Sequence, residues 1–91
     1  MQIAELIPYG HENAIKRSTL VELTGFTDRD VRDAINKSED LIINMMDGEG
    51  YFRPTPDEAD LVKQWEKTFW ARIKDEMMRV QKATHWRNNL M

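Results

Sequence analysis

Thr55-Pro56-Asp57-Glu58 opens the longest uninterrupted stretch of the chain, and it limits the available folds more than any other feature. A capping threonine, a proline at the first helical position, acids in the first turn and a glutamate three residues after the threonine together signal a helix start. Neither glycine nor proline follows between Glu58 and Trp86, so the predicted helix runs about 30 residues and about 45 Å. In a chain of 91 residues, residues 1 to 56 remain to make a compact body, roughly 26 Å across by the scaling of folded chains. The helix must overhang that body. Leu61, Val62, Trp65 and Phe69 share one face and are expected to pack against it. Trp70, Ile73, Met77, Val80 and Thr84 form a second, rotated stripe where no body lies beneath. This stripe is the expected interface of a homodimer or higher oligomer, most simply an antiparallel helix pair about a two-fold axis. Glu76 would face Arg72 or Arg79 across it.

Arg17 to Asn36, RSTLVELTGFTDRDVRDAIN, reads as two short helices joined by a tight turn. Leu20, Leu23, Val31, Ala34 and Ile35 fall at helical spacings on the inner side, and Gly25 sits where the first helix stops in a left-handed cap. Phe26 is expected to plug the corner. Thr27 starts the second helix, with Asp30 reaching back in place of the usual glutamate. Upstream, Ile3, Leu6 and Ile7 suggest a short helix or turn that Pro8-Tyr9-Gly10 ends, and His11 to Lys16 a brief extended edge segment. Downstream, Leu41-Ile42-Ile43-Asn44 and Tyr51-Phe52-Arg53 read as strands around the glycine-containing turn Met45 to Gly50, closed by Pro54. The expected fold is mainly α with a small β-hairpin: a winged helix-turn-helix body over 1–56 and a long C-terminal helix over 57–91, as one domain.

The run IPYGHENAIKRSTLVELTGFTDRDVRDAI, followed by IINMMDGEGYFRPTPDE, resembles a family of small prophage-encoded winged helix-turn-helix proteins of Gram-positive bacteria. The likeness lies in the Pro-x-Gly and Asn-Ala-Ile segment, the Thr-Gly and Asp-Arg-x-Val-Arg core, and the glycine-aromatic strand leading to a long terminal helix. It covers about the first two-thirds of the chain. The tail departs from it by its tryptophans and methionines. The resemblance implies double-stranded DNA as partner, in transcription regulation or replication.

In that arrangement the second helix of the turn motif enters the major groove and the hairpin meets the backbone. Arg29, Arg32 and Asn36 recur at i, i+3 and i+7 on the side away from Val31, Ala34 and Ile35, with Lys37 beside them. Their forked donors and acceptors match base edges. Lys16, Arg17 and Arg53 complete the candidate DNA-binding set as phosphate contacts. Against this stands the charge. The chain carries a net charge of −3, and residues 1 to 56 hold six basic groups against ten acidic ones. Asp47 and Glu49 occupy the hairpin turn where a phosphate-contacting wing would show lysine. The arginines are then read as solvated helix charges, paired as Asp28 with Arg32, Arg29 with Asp33, and Asp33 with Lys37. The rival reading is a protein-protein interaction or oligomerising scaffold module with an acidic surface that binds no DNA.

Other function classes find no support. The chain has no cysteine, which removes disulfides and thiolate metal sites and suits a cytoplasmic protein. No apolar run approaches membrane-spanning length and no leader is recognised. His11 and His85 lack neighbours at metal-ligand spacing and are expected at the surface. There is no nucleophile-base pattern and no phosphate-binding glycine loop. Neither catalysis, a metal, a cofactor nor a small-molecule substrate is expected.

Overall fold

The computed structural model describes residues 2–90. Met1 and Met91, the outer limits of the two regions drawn from the sequence, lie outside them. A 3-10 turn over Ile3–Leu6 turns Ile3, Ala4 and Ile7 inward. Helix α1 spans Arg17–Thr24 and stops at Gly25, whose φ of 72° puts its N–H on the Val21 carbonyl at 2.9 Å. Glycine meets that left-handed cap without a Cβ penalty. Helix α2 spans Asp28–Lys37 and begins at Thr27, whose hydroxyl oxygen accepts the Asp30 N–H at 3.1 Å. Asp30 makes no return bond to Thr27 among the described residues. Its side chain is one methylene shorter than the glutamate that normally closes this reciprocal cap.

Leu20, Val31 and Ile35 meet Ile3 and Ile7 in one buried cluster, and Ile43 and Phe52 extend the core beneath the hairpin. Each fully buried aliphatic side chain contributes about 1.5 to 3 kcal/mol. Two residues expected in this core are not there. Leu23 is 61% exposed and Phe26 45%. The corner between the helices is closed instead by Thr24, whose hydroxyl donates to the Leu20 carbonyl at 2.7 Å and accepts the Phe26 N–H at 3.1 Å. Leu23 and Phe26 are left on the rim of a surface hollow of about 270 Å³ with Ile3 and Leu6.

Strand β1 (Ile43–Asn44) pairs antiparallel with β2 (Tyr51–Phe52), Ile43 opposite Phe52 and Asn44 opposite Tyr51. Both are shorter than the sequence pattern suggests, because Arg53 leaves the hairpin to bond the N-terminal segment. Its N–H donates to the Pro8 carbonyl at 2.8 Å and its carbonyl accepts the Gly10 N–H at 3.0 Å. On the same edge, Ile15 and Tyr51 exchange both backbone bonds, at 2.8 and 2.9 Å. Of the extended edge segment expected over His11 to Lys16, only Ile15 pairs; His11–Asn13 coil into a 3-10 turn instead. Gly50, buried at φ 110°, lies so close to Ile15 that a Cβ there would collide with the Ile15 carbonyl.

After a 3-10 turn at Pro56–Glu58, helix α3 runs 30 residues, Ala59–Asn88. The Glu58 carboxylate accepts the Thr55 N–H at 3.0 Å and, with its other oxygen, the His11 N–H at 2.8 Å. One side chain thereby starts the helix and ties it to the body. Leu61, Val62, Trp65 and Phe69 are half-buried, whereas every residue from Trp70 to Leu90 is exposed. The molecule is accordingly elongated, 54 × 32 × 23 Å.

Candidate nucleic-acid interface

Helix α2 presents its candidates outward. Val31 and Ile35 are buried on one side, and Arg29, Arg32, Asn36 and Lys37 are all exposed on the other. None of the pairs Asp28–Arg32, Arg29–Asp33 or Asp33–Lys37 forms; among the described residues Arg29, Arg32 and Lys37 have no ion pair. Asp28 is held by Arg17, whose Nε lies 2.5 Å from the carboxylate, so the start of α1 is fastened to the start of α2. Asp30 and Asp33 stay exposed on the same helix.

The acids that weighed against this surface are partly spoken for. Asp47 in the hairpin turn accepts the Glu49 N–H at 3.0 Å and contacts the His11 ring nitrogen at 2.6 Å. The Glu49 amide first, then His11, hold its carboxyl below the ordinary aspartate range. His11 is therefore half-buried and tied to the hairpin rather than free at the surface, its ring 5.0 Å from that of Phe52. The two glycines of the turn take φ of 85° and 110°, and Met46 takes 61°, with its N–H on the Asn44 side chain at 2.8 Å. Gly48 and Gly50 are there for backbone geometry.

Lys16 and Arg17 stand beside the hairpin, lining a cleft of about 210 Å³ with Asn44, Gly48, Gly50 and Tyr51. Asn44 and Tyr51 were not among the sequence candidates. Only the cross-strand register brings them beside α1, and no local pattern marks it. Arg53 is placed differently from expectation. Its Nε donates to the Ile7 carbonyl at 2.8 Å, its guanidinium lies 4.1 Å from the centre of the Tyr9 ring, and Asp40 stands 3.8 Å away. With its side chain only 18% exposed, Arg53 knits the N-terminal segment to the hairpin instead of facing a phosphate.

No group of three or more residues suited to a metal ion occurs among the described residues, and none of their helices is long and apolar enough to cross a membrane. Comparison with protein-family models, with curated proteins and with solved structures gives no match.

Proposed function

We propose that this chain is a winged helix-turn-helix DNA-binding protein of prophage type, acting in the cytoplasm in transcription regulation or replication, and working as a homo-oligomer through α3. In this reading α2 lies in the major groove with Arg29, Arg32 and Asn36 at base edges, and Lys16, Lys37 and the exposed part of Arg17 meet phosphates. The observation that carries it is the outward ridge of α2. Among the described residues its cations are free of ion pairs, while Asp28, Asp40 and Asp47 are engaged by Arg17, Arg53 and His11. One copy offers few phosphate contacts, so affinity rests on joining two such ridges.

The test is fluorescence anisotropy with a labelled mixed-sequence duplex across a salt series. Binding should weaken linearly on a logarithmic plot, with a slope of about 0.9 per phosphate contacted. Absence of binding at low salt would overturn the reading. One observation favours the second reading, a protein-interaction module. Residues 2 to 58 hold twelve acidic groups against six basic ones, an adverse field for DNA. That reading requires no duplex binding at any salt concentration.

A further inference from the structure

Between α2, the hairpin and the near half of α3 lies a cleft of about 410 Å³, a size that suits a small ligand. Trp65, Phe69 and Tyr51 line it as half-buried aromatic residues, the first two stacked with ring centres 4.4 Å apart. Leu41, 47% exposed, and Met46, 74% exposed, belong to the same wall. Met46 holds a left-handed φ of 61°, which an L side chain adopts only at a cost, and the Asn44 side chain fixes it there by accepting its N–H. The hairpin turn thereby carries a water-exposed thioether, a good partner for apolar and aromatic surface, beside three aromatic rings.

Charge selects what would enter. Among the described residues the wall holds one carboxylate, Asp40, and neither lysine nor arginine. The contact of Asp40 with Arg53 is long, 3.8 Å, and leaves its side chain 56% exposed. Arg53 is divided besides between the Ile7 carbonyl and the Tyr9 ring. Phe69 already takes a cation at its face, the Arg72 guanidinium 5.4 Å from the ring centre. Residues 2 to 58, which supply most of the wall, hold twelve acids against six bases. An anion would enter against that field. A neutral apolar molecule would cover Asp40 without pairing it. A cation with an apolar body would meet ring faces, a carboxylate and the exposed Leu41 and Met46 together.

We propose that this cleft is a binding site for an organic cation of the quaternary ammonium class, its charged head between Asp40 and the aromatic rings and its apolar part against Leu41 and Met46. The site stands apart from the DNA reading and from pairing through α3, and depends on neither.

The test is a titration of the full chain with benzyltrimethylammonium chloride, without DNA, followed by nuclear magnetic resonance at the tryptophan indole N–H groups and the methionine methyls. The expected result is a saturable shift of Trp65 and Met46, with Trp86 at the far end of α3 unmoved. Benzyl alcohol, which keeps the ring and lacks the charge, should bind about fivefold more weakly or worse. Asp40→Asn should weaken binding of the ammonium probe about two- to fivefold. Met46→Gly should weaken it while keeping the fold, because glycine accepts the left-handed φ. Several results would overturn the proposal: no shift at Trp65 and Met46, equal shifts at all three tryptophans, benzyl alcohol binding as tightly, or an Asp40→Asn variant that binds as well as the native chain. Shifts of Trp65 and Met46 that track protein concentration without any probe would overturn it too, by showing that a second copy covers the cleft. Since DNA is absent throughout, failure here leaves the salt series to decide the DNA reading independently.

Discussion

Glu58 Oε2 lies 2.8 Å from the backbone nitrogen of His11, a residue 47 positions away in sequence, while Oε1 closes the helix start on Thr55. The Thr55 amide first, then that of His11, hold the carboxyl below the ordinary glutamate range. Glu58→Ala removes both contacts. It should cost about 1 to 2 kcal/mol, read as a lower midpoint in urea unfolding followed by circular dichroism. Glu58→Gln should recover part of the loss, since its amide oxygen still accepts one bond. Equal losses for both variants would show that the carboxylate acts through charge alone.

The two glycines of the hairpin should differ in their tolerance of alanine. At Gly48 a Cβ meets nothing, and the cost is that of a left-handed φ, about 1 to 2 kcal/mol. At Gly50 a Cβ also strikes the Ile15 carbonyl, so the Ile15–Tyr51 bridge must open and the loss should exceed about 3 kcal/mol. Thermal melting of the two variants ranks them. A Gly50→Ala variant as stable as Gly48→Ala would mean that Ile15 does not pair with Tyr51 in solution.

Acid should loosen the hairpin turn through Asp47. Folding favours its deprotonated form, because the folded pKa is depressed. The stabilisation is therefore complete above the ordinary aspartate range and is lost as pH falls through the lowered value. Amide exchange at Gly48 and Glu49, normalised to global stability, should rise on acidification in the native chain. Asp47→Asn should start from higher exchange and show a flatter pH response. Identical profiles for the two proteins would remove Asp47 as the cause.

Arg53 and the α2 arginines should separate stability from binding. Arg53→Ala leaves the Ile7 carbonyl and the Tyr9 ring without their partner, a loss of about 1 to 3 kcal/mol. Arg29→Ala and Arg32→Ala remove exposed side chains and should change stability by less than about 0.5 kcal/mol, while each lowers the salt slope or the affinity for duplex DNA. Should Arg32→Ala melt as early as Arg53→Ala, its role is structural.

The helices were legible in the sequence because their ends are written locally: Gly25 as a left-handed stop, Thr27 as a cap, and Thr55 with Glu58 as a reciprocal cap. The overhang of α3 followed from length alone. What local pattern could not supply was anything set by pairing across the chain. Arg53 read as a free cation on a strand, and only the docking of Pro8 and Gly10 beside it brings the Ile7 carbonyl within reach. The sequence pattern places Phe26 as a plug at the corner between the helices. Thr24 closes the corner with hydrogen bonds, and the ring is left outside. Asp28 read as a partner for Arg32 at helical spacing, whereas Arg17 on the neighbouring helix reaches it first. The outward ridge of α2 was legible; which acids around it are already engaged was not.

The long helix separates the molecule's charge as well as its mass. Ala59 to Asn88 carry seven basic groups against four acidic ones, opposite in sign to the end on which they are mounted. A single copy is therefore an electric dipole laid along its longest dimension. Two copies side by side in opposite senses cancel that dipole and keep a quadrupole, positive at the waist and negative at both tips. If copies pair in this way, their encounter should be quickest in dilute electrolyte and slow as salt is added.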